Sequence, residues 1–295
     1  PKIAAPVLCI GNFTVGGAGK TPTAIAFAKA AKARGFQPGI VSRGYGGNYK
    51  GLHIVDPSID SARHVGDEPL LLARHAPVAL CPDRLKSALE LRQRGCDFII
   101  MDDGFQSARL HSDFSLLVVD STRGVGNGRV IPAGPLRAPL TDQMRKTDAL
   151  LRIGKGSAAD FVVRQASRAG RAIYEAKLVP SSSSAVAGNR WLAFAGIGNP
   201  AKFFASVREA GGAIAESQTF PDHYSYQPDD IRKLIETANR LGAGLITTAK
   251  DHVRLVTMSD VPSEFMRELA VLDVDLQFER KDALGRILDM AVERY

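Results

Sequence analysis

Residues 7–21 read VLCIGNFTVGGAGKT, from Val7 to Thr21, and their reading decides the fold. The apolar run Val7–Ile10 has the composition of a parallel strand buried on both faces. A glycine-rich turn follows, with Gly16, Gly17 and Gly19, then Lys20, Thr21 and a helix-forming run from Pro22 to about Ala33. Strand, glycine turn, Lys-Thr and helix make the layout of a phosphate-binding loop. Glycines let backbone N–H groups close round phosphate oxygens, and the positive helix N-terminus faces the same anion. The expected nucleotide-binding residues are Thr14, Val15, Gly16, Gly17, Ala18, Gly19, Lys20 and Thr21. Lys20 is expected at the β/γ-phosphates and the Thr21 hydroxyl at Mg²⁺. The consensus asks for glycine where this chain has Thr14, so the alternative is a glycine-rich strand-to-helix turn that binds nothing.

Working outward, 295 residues suit two α/β units, and 45% hydrophobic with 23% charged residues is ordinary for a globular chain. Three cysteines, Cys9, Cys81 and Cys96, are widely spaced without a CxxC. That argues against a disulfide framework or a cysteine zinc site and for a reducing compartment. The net charge of +7 is scattered rather than gathered in an arginine-rich tail, so charge alone does not choose among nucleic acid, anionic lipid and phosphorylated substrates; the chain as a whole carries no expectation of a nucleic-acid partner. No apolar run approaches the ~20 residues of a membrane span. The chain opens at Pro1 shortly before its first strand, which suggests an N-terminal segment removed from the natural protein.

Strands at Val7–Ile10, Gly39–Ser42, Val78–Cys81, Cys96–Met101, Phe114–Asp120 and Asp148–Ile153 alternate with helices. The expectation is a doubly wound, mainly parallel sheet over residues 1–155. Arg43-Gly44-Tyr45-Gly46-Gly47 lies at a strand's C-terminal end, where ligands bind in such sheets; Arg43 there reads equally as a solvated loop residue. Asp67, in Gly66-Asp67-Glu68-Pro69, reads locally as a helix cap. Arg84 is expected near a helix start, where it could serve an anion. The apolar strand ending in Asp102-Asp103 has the Walker B arrangement, a carboxylate beside the phosphate loop that helps hold Mg²⁺. The Gly- and Pro-rich stretch Gly124–Pro139 reads as a functional loop or flap.

Phe161–Ala166 and Arg171–Val179 alternate apolar and polar residues and are expected as linking strands within 156–186, followed by a polar break at Ser181–Ser184. A second, smaller α/β unit is expected over 187–295. Its strands are Trp191–Ala195, Leu245–Thr248 and Leu269–Val274, and its last helix, Lys281–Val292, is placed to pack back on the first unit. Gly196-Ile197-Gly198-Asn199-Pro200 resembles a second nucleotide loop but has no lysine, and reads better as a structural turn.

The ordered set GNFTVGGAGKTP, VSRGYGG, GDEP, DDGFQ, PAGPLR, FAGIGNP, FPDHY and T-x-KDxVR, from Gly11 to Arg254, resembles the tetraacyldisaccharide 4′-kinases. Each motif is weak alone, and the order makes them specific. The resemblance implies an ATP- and Mg²⁺-dependent P-loop kinase that phosphorylates the 4′-hydroxyl of a tetraacyl disaccharide 1-phosphate, the lipid A precursor. It also implies work at the cytoplasmic face of the bacterial inner membrane, where family members usually carry an N-terminal hydrophobic helix that is missing here. By the same resemblance Asp67 is the carboxylate that draws the proton from the sugar hydroxyl, and His223, in FPDH, pairs with it. Asp102 and Asp103 belong to the metal site, and Arg43, Arg84, Gln106 and Arg137 line the site. Two positions depart from the family pattern, Ala138 and Ala249, each standing where an acid is usual.

Three rival readings remain, one of them a non-enzymatic nucleotide-binding module, which would leave Asp67 and His223 without a joint purpose. A partition-type regulatory P-loop ATPase would carry a signature lysine where Val15 stands. A P-loop kinase of a soluble metabolite would not call for the basic charge and trimmed N-terminus that suit a lipid substrate.

Overall fold

The computed structural model describes residues 1–181, 185–258 and 260–295, so Ser182–Ser184 of the expected polar break lie outside the described residues. Along the chain run β1 (Val7–Asn12), α1 (Lys20–Ala33), β2 (Pro38–Ser42), β3 (His53–Ile54), α2 (Ala62–Val65), α3 (Asp67–Ala73), β4 (Val78–Leu80), α4 (Arg84–Gln93), β5 (Phe98–Asp102) and β6 (Phe114–Asp120). Then come α5 (Leu140–Arg145), β7 (Ala149–Ile153), α6 (Asp160–Arg168), β8 (Ala172–Pro180), β9 (Arg190–Ala195), α7 (Pro200–Glu209) and β10 (Ala213–Thr219). The chain closes with α8 (Pro228–Leu241), β11 (Gly244–Thr248), α9 (Ala249–Val256), α10 (Ser263–Glu268), β12 (Ala270–Leu272), β13 (Val274–Phe278) and α11 (Ala283–Glu293).

The large sheet has the order β13-β8-β7-β6-β1-β5-β2-β4-β3. Its strands from β8 to β4 pair in parallel, while β3 and β13 are antiparallel edges. β1 is buried at every position, as its apolar run requires, and lies between β5 and β6. Because these strands run the same way, the loops after β1, β2, β5 and β6 emerge at one edge, where ligands gather in open α/β sheets. The small sheet, β10-β9-β11-β12, is parallel throughout. Its carboxyl edge carries Gly196–Pro200, the turn after β10 that holds His223, and the start of α9.

Three segments differ from the sequence expectation. Phe161–Ala166 is the helix α6, not a linking strand: Val162 and Ala166 share its buried face at a four-residue spacing, and Asp160 opens its first turn. A short apolar run satisfies both periods, and packing against β7 and β8 selects the helix. The following strand, β8, joins the large sheet between β7 and β13 instead of forming a separate linker. The single strand expected at Leu269–Val274 is two, since the chain leaves the small sheet after β12 and enters the large one as β13. Asp273 makes the break, its Oδ1 accepting the N–H of Val274 at 2.8 Å. α11 then seals the first unit, placing Ile287, Leu288 and Ala291 in one core with Phe27 of α1 and Phe278 of β13.

Candidate active site

The loop after β1 is shaped by positive-φ glycines at Gly16 (φ 98°) and Gly19 (φ 96°). At Gly19 a Cβ would also approach Ile153 Cδ1 to 2.7 Å, so both torsion and space exclude a side chain where α1 begins. Asn12 Nδ2 donates to the Gly16 carbonyl at 3.2 Å, and the Val15 N–H donates to the Pro135 carbonyl at 2.9 Å. The Gly124–Pro139 stretch therefore braces the glycine loop from one side. No side chain caps α1, so its first N–H groups face the loop. Lys20 and Thr21 open the helix, both largely buried.

The paired aspartates at the end of β5 part company in role. Asp103 has a left-handed backbone (φ 52°), and its carboxylate takes both guanidinium nitrogens of Arg137, at 2.9 and 3.0 Å, with Lys20 Nζ 3.6 Å away. Burial would raise its pKa, but Lys20 and Arg137 outweigh burial and hold it below the ordinary carboxylate value. Arg84 donates to the Asp103 carbonyl at 2.8 Å, and Gln106 donates to the Asn12 carbonyl at 2.9 Å while accepting from Arg137. Asp102 is different. It is buried, and among the described residues its Oδ1 has no partner and only the Ser42 hydroxyl reaches Oδ2, at 3.5 Å. Burial, reinforced by the Glu68 carboxylate, pushes Asp102 up to about 7 although Lys20 opposes them. An orphaned buried carboxylate oxygen beside a phosphate-type loop has the hard-oxygen chemistry that suits a divalent cation such as Mg²⁺.

Asp67 and His223 come from different units, yet His223 Nδ1 lies 3.2 Å from Asp67 Oδ2. Gly66, at φ 92°, turns the chain into α3 so that Asp67 occupies its first position, where the helix N-terminus favours a carboxylate. Oδ1 accepts the Glu68 N–H at 2.8 Å, and Oδ2 also receives Arg254 Nη2 at 2.6 Å and Nε at 3.0 Å. Burial alone would raise Asp67; the His223 hydrogen bond, Lys250 and Arg254 together drive it far below its ordinary value. The reciprocal hydrogen bond raises His223. His223 has φ 57°, and the Gly196 carbonyl accepts its N–H at 3.2 Å, which aims the ring across the cleft.

Thus the structure gathers Asp103, Arg84, Gln106 and Arg137 round the phosphate loop with Lys20 and Asp102, and joins Asp67 to His223. Arg43 stands apart on an exposed loop, close enough to Arg84 to lower its pKa further after burial has done so. Sequence reasoning missed Arg254, which grips Asp67 and also donates to Asp251 Oδ1 and the Gly196 carbonyl, each at 2.8 Å. It also missed Lys250, bonded to Glu68, which links the dyad to the charge acting on Asp102. The available signal was the KDxVR spacing, which sets Lys250 and Arg254 one turn apart on α9. Of the two departures, Ala138 contributes only its carbonyl, accepting from Gln143 Nε2 at 2.7 Å, and Ala249 is the first residue of α9.

Residues 1–293 match the family model described as Tetraacyldisaccharide-1-P 4'-kinase. The chain belongs to that family. The tetraacyldisaccharide 4'-kinases of Brucella ovis, Brucella melitensis and Brucella abortus are each 75% identical to it over 295 residues, covering 100% of this chain and 86% of theirs. The crystal structure of the "apo" form of LpxK from Aquifex aeolicus in complex with ATP has a TM-score of 0.73 at 25% identity and covers 99% of this chain and 90% of that one. The activity is that of the family, a phosphotransferase step of lipid A biosynthesis acting on a tetraacyldisaccharide. Among the described residues no helix is long and apolar enough to cross a membrane.

Proposed function

We propose that this member of the tetraacyldisaccharide 4′-kinases transfers the γ-phosphate of ATP to the acceptor 4′-hydroxyl in the cleft between its large, mainly parallel sheet and its small one. The observation that carries the reading is the Asp67–His223 contact, which joins a buried carboxylate of one unit to an exposed imidazole of the other. ATP is the donor because the glycine loop Thr14–Gly19, the N-terminus of α1 and Lys20 form a built polyphosphate cradle, and because a relative of the same fold binds ATP. Thr21 and Asp102 would hold Mg²⁺, with Asp103 kept in place by Arg137. When bound, the ion neutralises charge on the transferring phosphoryl group.

The remaining steps belong to side chains of the chain itself. Arg84, Arg137 and Lys20 supply positive charge round the phosphates. The acceptor proton passes to the Asp67–His223 pair, which Arg254 holds in register. Arg123 and Lys202 tie the units together, donating to the Gly198 carbonyl at 2.6 Å and to Asp120 Oδ2 at 3.1 Å. Closure over the acceptor would exclude water from the transfer. The acyl chains and the basic charge of the protein suit an encounter at the inner-membrane surface.

The test is transfer of labelled phosphate from Mg-ATP to a 1-phosphorylated tetraacyl disaccharide in mixed micelles. Product phosphorylated at the 4′-hydroxyl, lost in Asp67→Ala and His223→Ala with ATP binding intact, is the expected result. Full turnover by either variant would remove the pair from the mechanism.

A further inference from the structure

His53, Asp60 and His64 form a compact cluster that phosphoryl transfer does not use. His53 opens the edge strand β3, Asp60 ends the turn after it, and His64 sits on α2. The Asp60 carboxylate, only 4% exposed, lies between the two imidazoles, with Oδ2 2.7 Å from His53 Nε2 and Oδ1 2.8 Å from His64 Nδ1. One donor atom from each of the three side chains falls within 4.8 Å of the others. The Asp56 N–H donates to Asp60 Oδ2 at 2.8 Å and fixes the carboxylate from behind. His53 and His64 stay partly open to solvent, which leaves an entry path and room for water ligands.

Two imidazoles and one carboxylate brought together from three segments make the donor set of a borderline transition-metal dication, Zn²⁺ above all. Mg²⁺ and Ca²⁺ prefer all-oxygen sites. We propose that His53, Asp60 and His64 bind one such cation, at a site separate from the phosphate loop. The cation takes the place of the protons that bridge each imidazole to Asp60 in its absence. Its consequence is local order next to the dyad. The His64 carbonyl accepts the N–H groups of Asn48 at 2.9 Å and Tyr49 at 3.1 Å, and α2 runs directly into Gly66 and Asp67. A bound cation therefore ties the edge strand, the Arg43–Gly47 loop and the root of α3 into one unit.

The test is Co²⁺ titration of the full chain after dialysis against a chelator, read by visible absorption and bound metal. One Co²⁺ per chain is expected, with the absorption of imidazole-ligated cobalt, displacement by Zn²⁺ and a higher Tm with Zn²⁺ bound. The double variant His53→Gln/His64→Gln, shown to be folded by circular dichroism, should lose all three signals. Absent uptake, or uptake equal in wild type and double variant, overturns the proposal. Uptake that survives the double variant but disappears in Asp102→Asn belongs to the phosphate loop and overturns it as well.

Discussion

Single charges decide this site, and their environments separate residues that look alike in sequence. Asp102 and Asp103 are neighbours, yet one is orphaned and raised to about 7 while the other is pinned by Arg137 and lowered. A carboxylate raised on folding costs stability as the pH climbs from its ordinary value of 3.8 towards 7. Asp102→Asn should therefore stabilise the metal-free protein at neutral pH by a few kcal/mol at most, a gain that shrinks on acidification. Thermal melts at several pH values check the sign, and turnover should collapse in the same variant. Lys20→Ala should lower kcat by about 10²–10³, the usual worth of a preorganised charge on a transition state; steady-state assays at saturating ATP measure it. For His223, NMR titration of its ring protons should give a value above 6.5 in the wild type, because the Asp67 hydrogen bond stabilises the imidazolium. In Asp67→Asn the value should fall back, and an unchanged titration would contradict the pairing.

At the scale of elements, α9 does most to assemble the dyad, although its sequence advertises little. Thr248 caps it, accepting the Asp251 N–H at 3.1 Å and donating to Asp251 Oδ2 at 2.6 Å. Asp251 then holds Arg254, which holds Asp67. Thr248→Ala should cost about 1–2 kcal/mol through the lost cap and lower kcat more than it alters the KM for ATP. Denaturant melts and kinetics separate the two effects. Arg254→Leu should be harsher, on the order of 3–5 kcal/mol, because it leaves Asp67 buried and charged without its guanidinium partner. α6 teaches the opposite lesson: its short apolar run reads as a strand until Val162 and Ala166 are seen on one buried face.

For the whole molecule, the two sheets are joined by charge as much as by packing. Asp67–Arg254, Glu68–Lys250, Asp120–Lys202 and Arg123 to the Gly198 carbonyl all cross between the units. Asp67, lowered far on folding, contributes stability that is complete above its ordinary value of 3.8 and is lost progressively as the pH falls from there towards its much lower folded value. Strong acidification, below that ordinary value, should therefore loosen the cleft before it melts the central sheet. Hydrogen exchange should show α9 losing protection while β1 and β5 keep theirs, and simultaneous loss would mean that the junction is not the weaker part.

The local pattern of this chain determined its phosphate loop, its Walker-type strand and its doubly wound sheet. Each rests on neighbouring residues: a buried apolar run, glycines at positive φ, a lysine and threonine at the helix start. The ordered motifs also carried the family. Tertiary structure decided what depends on residues far apart meeting. That includes the grip of Arg254 on Asp67, the unequal fates of Asp102 and Asp103, and the entry of β8 and β13 into the large sheet. The physical reason is range. Torsion and periodicity act over a few residues and are written in the sequence, whereas burial and Coulomb coupling depend on which side chains the finished fold brings within a few ångströms.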